Sequence, residues 1–182
     1  MILAGGKATR LGGVDKHALV VEGETILARQ AAALRPCVAD ILVSSGRDIA
    51  GFRTVADAIP DLGPLGGIAA GLAATATTWL FVVAGDMPHI HRALIERVLS
   101  HADREADAVG IRIGGLPEPL CTALRVDVWR PLVAARIAAR RLKASSLLTD
   151  EEVRVRWMEE AEVRDIDPTL RALHNVNVPG DL

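Results

Sequence analysis

The sequence opens with MILAGGKATRLGGVDK, residues 1–16, and this stretch indicates the fold. Its short apolar run, residues 2–4, predicts a strand that leads at once into a glycine-rich loop. Glycine allows a backbone to approach a bulky anion and to turn its N–H groups toward it. Lys7, Arg10 and Lys16 can supply positive charge. A strand followed by such a loop is how α/β proteins hold phosphate groups.

The loop differs from the two common phosphate-binding signatures. A dinucleotide fingerprint requires G-x-G-x-x-G, whereas Gly5 and Gly6 are adjacent here. A P-loop requires G-x-x-x-x-G-K-[ST], but Gly6 and Gly12 are too far apart and Gly13 follows Gly12. The residues alone therefore leave two interpretations open, an anion-binding loop of another kind and a surface turn with solvated charges.

The composition indicates one α/β domain, residues 1–182, with 50% hydrophobic residues. A net charge of −2 and an aromatic content of 3% argue against nucleic-acid binding by bulk charge or by base stacking. Cys37 and Cys121 are isolated thiols without a C-x-x-C pattern, so disulfides and a zinc site are not expected. No secretory signal is predicted, and a cytoplasmic location is expected.

The uncharged stretch 63–85 raises the question of a membrane span. It contains Pro64, several glycines and a cluster of threonines, and it has no flanking Lys or Arg bias. We therefore interpret it as a buried helix followed by a buried strand, and no membrane association is predicted.

Hydrophobic periodicity and turn residues predict an alternation of strands and helices. The predicted segments are a helix at 25–34 capped by Thr25, strands at 38–45 and 52–56, a helix at 63–76, a strand at 79–84, a helix at 90–101, strands at 107–113 and 119–124, helices at 128–142 and 145–152, and an edge strand at 153–157. This order predicts a mainly parallel sheet with right-handed crossovers. The pattern of predicted elements changes near residue 105, which suggests a nucleotide-binding half (1–105) and an acceptor half (106–182) on one sheet.

Polar groups follow three of the predicted strands. The glycine loop follows the first strand, Asp57 follows the third, and Asp86 follows the buried strand 79–84. Ligands of parallel sheets bind at the carboxyl ends of the strands, so these groups are expected to meet at one place. Asp86 could hold Mg²⁺ against phosphate oxygens, or it could cap the next helix. The pair His89 and His91 lacks a third ligand and is not predicted to bind metal.

Several motifs resemble those of the molybdenum cofactor guanylyltransferases, nucleotidyltransferases with the nucleotide-diphospho-sugar transferase fold. Residues 3–16 resemble the signature loop of that family, and Gly6 and the Val-Asp-Lys ending favour this branch. Residues 63–67 match G-P-L-x-G, residues 85–88 match G-D-x-P, and residues 175–179 are similar to N-x-N-T-P. The resemblance implies a Rossmann-like three-layer α/β sandwich with a mainly parallel sheet.

The resemblance also implies an activity, which is transfer of GMP from GTP to the terminal phosphate of molybdopterin with release of pyrophosphate. Mg²⁺ would be the metal cofactor, with Asp86 as its ligand. GTP and molybdopterin (the molybdenum cofactor) would be the small-molecule partners, and protein partners from cofactor biosynthesis or among molybdoenzymes stay open. The implied catalytic residues are Lys16, Asp86 and Arg10; the implied nucleotide-binding residues are Leu3, Ala4, Gly5, Gly6, Lys16, Asp57 and Asp86; the implied acceptor-side residues are Asn175 and Asn177.

Purely structural interpretations of these residues remain beside the functional ones. Lys16 would be a surface lysine, and Asp57 and the two asparagines would be turn residues. The chain also departs from the family pattern. Ser44 stands where the family's second strand typically ends in an asparagine that contacts the nucleotide, and Val178 replaces the threonine of N-x-N-T-P.

Three alternative functions remain at this stage. A molybdopterin cytidylyltransferase or a sugar-1-phosphate nucleotidyltransferase would use the same architecture with another base or acceptor. The double glycine disfavours the first and the small size disfavours the second. A non-catalytic nucleotide-binding module would share the motifs without turnover.

Overall fold

A computed structural model describes residues 1–4, 7–8, 14–15, 18–56, 62–149 and 153–176. Its strands are β1 (Ile2–Leu3), β2 (Lys7–Ala8), β3 (Val14–Asp15), β4 (Val20–Val21), β5 (Glu24–Thr25), β6 (Leu42–Ser44), β7 (Arg53–Val55), β8 (Trp79–Ala84), β9 (Ala108–Ile113), β10 (Leu116–Arg125) and β11 (Val155–Glu159). Its α-helices are α1 (Ile26–Leu34), α2 (Pro64–Ala74), α3 (Arg92–Ser100), α4 (Val126–Ala138) and α5 (Glu160–Arg164). Short 3₁₀ segments lie at Ala144–Thr149 and Arg171–Leu173.

A seven-stranded sheet in the order β11-β9-β10-β8-β1-β6-β7 forms the centre of the molecule. β1 pairs in parallel with β6 and β8, β6 with β7, and β9 with β11, whereas β10 is antiparallel to both of its neighbours. The carboxyl ends of all the strands except β10 therefore lie at one edge of the sheet, called the carboxyl edge below. The predicted mainly parallel α/β sheet is confirmed.

Helices cover both faces of this sheet, and the alternation along β8 shows how. Phe81 and Val83 pack in a core with α1 and α3, whereas Leu80 and Val82 pack in a second core with α2 and α4. A near-continuous apolar strand is typical of a position covered on both sides. The predicted three-layer sandwich is confirmed.

Several predicted elements are confirmed closely, because their signals are local. Thr25 caps α1, with its Oγ1 accepting a hydrogen bond from the N–H of Ala28, and β8 occupies residues 79–84 as predicted. The uncharged stretch 63–85 forms α2 and β8. Within the residues that the structure describes, no helix has the length and apolarity needed to cross a membrane.

Other predicted boundaries were wrong. The second strand was predicted from residue 38, but β6 begins at Leu42. The Asp40 side chain accepts a hydrogen bond from the N–H of Ile41 and so fixes a turn before the strand. The helix predicted to reach residue 142 ends at Ala138, and Arg140 adopts the left-handed region with φ of 56°. Strands from both predicted halves lie in one sheet, and the division into a nucleotide half and an acceptor half stays a prediction.

A charged network joins β9, β10 and β11 at the edge opposite the carboxyl edge. Asp107, which is buried, accepts two hydrogen bonds from the Arg154 guanidinium (2.9 and 3.0 Å) and one from the Arg154 backbone N–H (3.0 Å). Arg125 lies 2.8 Å from the same carboxylate. The hydrogen bonds from the Arg154 side chain, opposed by burial, are the main cause that lowers the pKa of Asp107 to about 2.

We predict that Asp107→Asn lowers the free energy of unfolding by about 1–2 kcal/mol at pH 7. The effect is modest because the Arg154 side chain is exposed and solvent screens its interaction with Asp107. Because the pKa of Asp107 is lower in the folded state, its stabilisation is complete above pH 4. It is lost as the pH falls toward 2. Urea denaturation should show a difference in the free energy of unfolding between wild type and Asp107→Asn that is constant from pH 7 to about pH 4. Between pH 4 and pH 2.5 this difference should shrink.

The control for this prediction is Asp127→Asn. Asp127 also contacts Arg125, at 3.2 Å, but its side chain is 76% exposed, so its loss should change stability by less than about 0.5 kcal/mol. A deficit for Asp107→Asn that persists unchanged at the lowest pH would contradict the electrostatic explanation.

Candidate active site

The ends of β1 and β8 lie in direct contact at the carboxyl edge. Leu3 pairs with Ala84, and the N–H of Gly85 donates to the carbonyl of Leu3 at 3.0 Å. A Cβ atom at position 85 would lie 2.6 Å from that carbonyl oxygen, so only glycine permits this approach. The residues that follow Ala4 and those that follow Gly85 therefore leave the sheet at neighbouring points.

Asp86 lies immediately after this contact and is partly exposed. The N–H of Met87 donates to the carbonyl of Ala84 at 3.4 Å, which closes a tight turn over residues 84–87. The interpretation of Asp86 as the cap of the next helix is wrong, because α3 begins only at Arg92. Its N-cap is His91, whose Nδ1 accepts a hydrogen bond from the N–H of Leu94 at 3.4 Å. Asp86 thus lies at the carboxyl edge and does not cap α3.

A second carboxyl group, that of Glu118 on β10, lies near Asp86. β10 pairs with β8 up to the pair Cys121 and Val83, and continuing that register brings Glu118 beside Asp86. Burial, above all, and the negative charge of Asp86 raise the pKa of Glu118, while a hydrogen bond from the N–H of Leu120 opposes this. Sequence reasoning left Glu118 between the predicted strands 107–113 and 119–124 and missed the proximity of the two carboxyl groups.

Cys121, three residues along the same strand, offers no nucleophile. Its thiol is fully buried, and burial raises its pKa well above the ordinary value for cysteine. Among the described residues, no three His, Cys, Asp or Glu side chains cluster so as to hold a metal ion. Within the described part of the chain, the ionisable groups that this edge offers include the carboxyl groups of Asp86 and Glu118.

The segment near the C-terminus reaches the same edge. The backbone N–H of Val176 donates to the carbonyl of Asp86 at 2.8 Å. Val176 is buried in a small core with Val21 and Ile26, which anchors the segment to α1 and the β4–β5 hairpin. Asn175, which is exposed, is therefore brought close to Asp86, as expected if it serves the same site.

The start of α2 also faces the carboxyl edge. Gly63 has a φ of 58°, which favours glycine, and Pro64 occupies the first turn of the helix. A Cβ atom at Gly67 would lie 2.6 Å from the Oγ of Ser44, the buried last residue of β6. The glycines of the G-P-L-x-G motif thus allow the helix to approach the sheet closely.

The described part of the predicted site is brought together at one edge. Leu3, Ala4, Asp86 and Asn175 lie at the end of β1 or close to the end of β8. The remaining predicted site residues lie outside the described residues, namely Gly5, Gly6, Arg10, Lys16, Asp57 and Asn177.

One polar residue of this region was missed by sequence reasoning. Gln30 lies on the buried face of α1, and its side-chain amide donates to the carbonyls of Ala84 (2.7 Å) and Met87 (3.0 Å). The available signal was a glutamine on the apolar face of a helix, where a polar side chain needs a partner.

Comparison with known proteins shows which protein family this chain matches. The sequence profile of the MobA-like NTP transferase domain matches residues 1–155. A molybdenum cofactor guanylyltransferase from Pseudomonas putida is 35% identical, over 98% of this chain and 92% of its own length. Its counterpart from Pseudomonas aeruginosa is 39% identical over 66% of this chain and 64% of its own length.

Solved structures share the fold. Molybdopterin-guanine dinucleotide biosynthesis protein A from Archaeoglobus fulgidus superposes with a TM-score of 0.81 at 21% identity, over 99% of this chain and 92% of its own. The 2-C-methyl-D-erythritol 4-phosphate cytidylyltransferase from Thermus thermophilus superposes with a TM-score of 0.70 at 20% identity, over 99% and 93%. Both structural neighbours support a nucleotidyltransferase fold.

The family match, the near full-length relatives and the fold agree, and the chain belongs to the MobA-like NTP transferase domain family of nucleotidyltransferases.

Proposed function

We propose that this protein transfers GMP from GTP to the terminal phosphate of molybdopterin, with release of pyrophosphate. The names of relatives that are 35% identical over almost the whole chain support this reaction. The structural observation that carries it is the contact between Gly85 and Leu3, which joins the start of the glycine loop to the Asp86 turn. A triphosphate between these two segments would meet both.

Asp86 is the proposed ligand for Mg²⁺. Carboxylate oxygens are ligands that Mg²⁺ prefers, and one or two of them suffice because water and substrate phosphates supply the rest. The β8–β10 register places Glu118 beside Asp86, so a second carboxyl group is available near the proposed ligand. When bound, the ion would neutralise charge on the phosphate oxygens during transfer.

The glycine loop is the proposed phosphate-binding segment. Lys16 would stabilise the charge that develops at the α-phosphate as pyrophosphate leaves, and Arg10 would face the β- and γ-phosphates. Leu3, Ala4, Gly5, Gly6 and Asp57 would complete the nucleotide site. The acceptor phosphate is already a competent nucleophile, so catalysis consists of in-line positioning and charge stabilisation. The buried thiol of Cys121 agrees with a reaction that needs no covalent intermediate.

Asn175 and Asn177 are proposed to lie on the acceptor side. Support comes from the hydrogen bond between the N–H of Val176 and the carbonyl of Asp86, which fixes the residue between them beside the proposed ion ligand. Amide side chains can donate to an incoming phosphate and accept from the hydroxyl or amino groups of an organic acceptor.

We predict that Asp86→Asn lowers the turnover number at least 100-fold, because the variant keeps the shape of the side chain and loses its charge. Release of pyrophosphate from GTP in the presence of Mg²⁺ and molybdopterin measures the rate, and circular dichroism checks the fold. Asp127→Asn, at the start of α4 and the opposite edge of the sheet, should retain full activity. Near-normal turnover in Asp86→Asn would remove Asp86 from the proposed role.

We predict that calorimetry in Mg²⁺ detects binding of GTP at least tenfold tighter than binding of CTP, ATP or UTP. Selective binding of GTP would support guanylyl transfer and leave the acceptor to be tested by turnover. Tighter binding of CTP would instead support the cytidylyltransferase alternative and direct attention to Ser44. Both outcomes are compatible with the fold, since a cytidylyltransferase shares it.

We predict that Lys16→Ala weakens GTP binding and lowers the turnover number together, by about tenfold or more each, because the lysine would contact the phosphates in the ground state and more strongly in the transition state, where charge develops. Steady-state kinetics with varied GTP and varied molybdopterin separates the effects. A variant in which only the Michaelis constant for the pterin rises would place Lys16 on the acceptor side.

A further inference from the structure

The inner face of α1 carries one polar side chain among apolar neighbours. Gln30 is fully buried beside Leu27, Ala31 and Leu34. Burying an amide costs about 1–3 kcal/mol unless its hydrogen bonds are replaced. A glutamine at this position therefore calls for a specific reason.

Both N–H groups of the Gln30 amide are used. Nε2 lies 2.7 Å from the carbonyl oxygen of Ala84 and 3.0 Å from that of Met87. These carbonyls stand on either side of Gly85 and Asp86. A single side chain thus holds both ends of the tight turn that carries the proposed ion ligand.

The oxygen of the same amide, Oε1, is not paired in this way within the described residues. Oε1 is buried, and it has no hydrogen-bond partner among the residues that the structure describes. Exchanging the two amide atoms would set an oxygen against two carbonyl oxygens, so the orientation is fixed by the acceptors. An apolar side chain of similar size would avoid the cost of the buried oxygen. What glutamine adds at this position is a pair of donors.

The turn depends on such external donors. Its own hydrogen bond, from the N–H of Met87 to the carbonyl of Ala84, is long at 3.4 Å. Two further contacts hold the segment, from Arg29 Nε to the carbonyl of Pro88 at 3.0 Å and from the N–H of Val176 to the carbonyl of Asp86 at 2.8 Å. Among the described contacts, consecutive residues of α1 fix three of these four carbonyls, and Gln30 is the one side chain that binds both ends of the turn.

We propose that Gln30 is a positioning residue for the nucleotidyl-transfer site, which sets the place and direction of the Asp86 carboxylate through the carbonyls of Ala84 and Met87. This role rests on the proposed function, because it takes Asp86 as the ligand of the divalent ion. Residues that orient a metal ligand through hydrogen bonds contribute strongly to metal affinity, and their loss costs about 10–100-fold in metal binding or activity.

The test uses Gln30→Met, which keeps the length of the side chain and removes both donors together with the unpartnered oxygen. We expect the Mg²⁺ concentration for half-maximal turnover to rise at least tenfold, or the turnover number to fall at least tenfold, with a smaller change in the Michaelis constant for GTP. A second readout is independent of turnover. Calorimetric binding of Mn²⁺ in the presence of a non-hydrolysable GTP analogue should weaken at least tenfold.

Leu34→Val is the matched control. Leu34 lies one turn further along α1, away from the carboxyl edge, and its shortening should cost about 1 kcal/mol of stability with unchanged ion dependence. Gln30→Leu is the second variant should Gln30→Met fail to fold, since it also removes both donors and buries no charge. It should weaken Mn²⁺ binding at least tenfold as well.

The outcomes separate this role from the proposed function. Wild-type binding of Mn²⁺ that Gln30→Met leaves unchanged, or a loss in Gln30→Met that Leu34→Val reproduces, would overturn the positioning role alone. A wild-type protein that binds no Mn²⁺ with any nucleoside triphosphate analogue would remove the proposed function and, with it, this role. Weakened binding confined to the two Gln30 variants supports both.

Discussion

The hydrogen bond from the N–H of Gly85 to the carbonyl of Leu3 is the contact on which the candidate site depends. It joins the last residue of β1 to the residue that follows its parallel neighbour β8, and it leaves no room for a side chain at position 85. A larger residue would separate the strand ends by forcing the backbone of β1 away from that of β8. The glycine loop and the Asp86 turn would then move apart, because each begins within two residues of this contact.

Polar groups that are buried behind the edge explain why the turn holds its shape. The Gln30 side chain on α1 donates to the carbonyl of Ala84, and the backbone N–H of Val176 donates to the carbonyl of Asp86. Each group is held in turn by apolar packing, Gln30 through the inner face of α1 and Val176 through Val21 and Ile26. The position of one carboxylate thus depends on packing contributed by residues far apart in sequence.

Local signals in the sequence were sufficient for much of the fold. The cap at Thr25 and the strand 79–84 were predicted because their determinants lie within a few residues. β10 was predicted to begin at residue 119 but begins at Leu116. The prediction was too short because Pro117 is a residue that disfavours a strand. The register of β10 against β9 shifts between Glu118 and Ala123, a stretch that contains Pro119, whereas Pro117 still pairs with Arg112.

The edge of the sheet at which the candidate site lies was predictable from the sequence, and the contacts around Asp86 were less so. The rule that ligands bind at the carboxyl ends of parallel strands placed Asp86 at the right edge, but it left a helix cap as an alternative. That alternative was decided by where α3 begins, at Arg92, which sequence patterns fix only approximately. The donors from Gln30 to Ala84 span 54 residues, and the proximity of Glu118 to Asp86 depends on strand register. Such contacts exist only once the sheet has formed.

The chemistry explains why this precision matters. A transfer between two phosphate groups needs no nucleophile from the protein, and the described part of the edge supplies none, with Cys121 buried and its thiol pKa raised. The protein's contribution to the rate is then the placement of charge relative to the phosphates. Displacement of a single charged group by about 1 Å can cost two orders of magnitude in such a reaction. A core glutamine whose oxygen has no partner among the described residues costs about 1–3 kcal/mol of stability, and in the proposed role this cost is offset by the fixed direction of the Asp86 carboxylate.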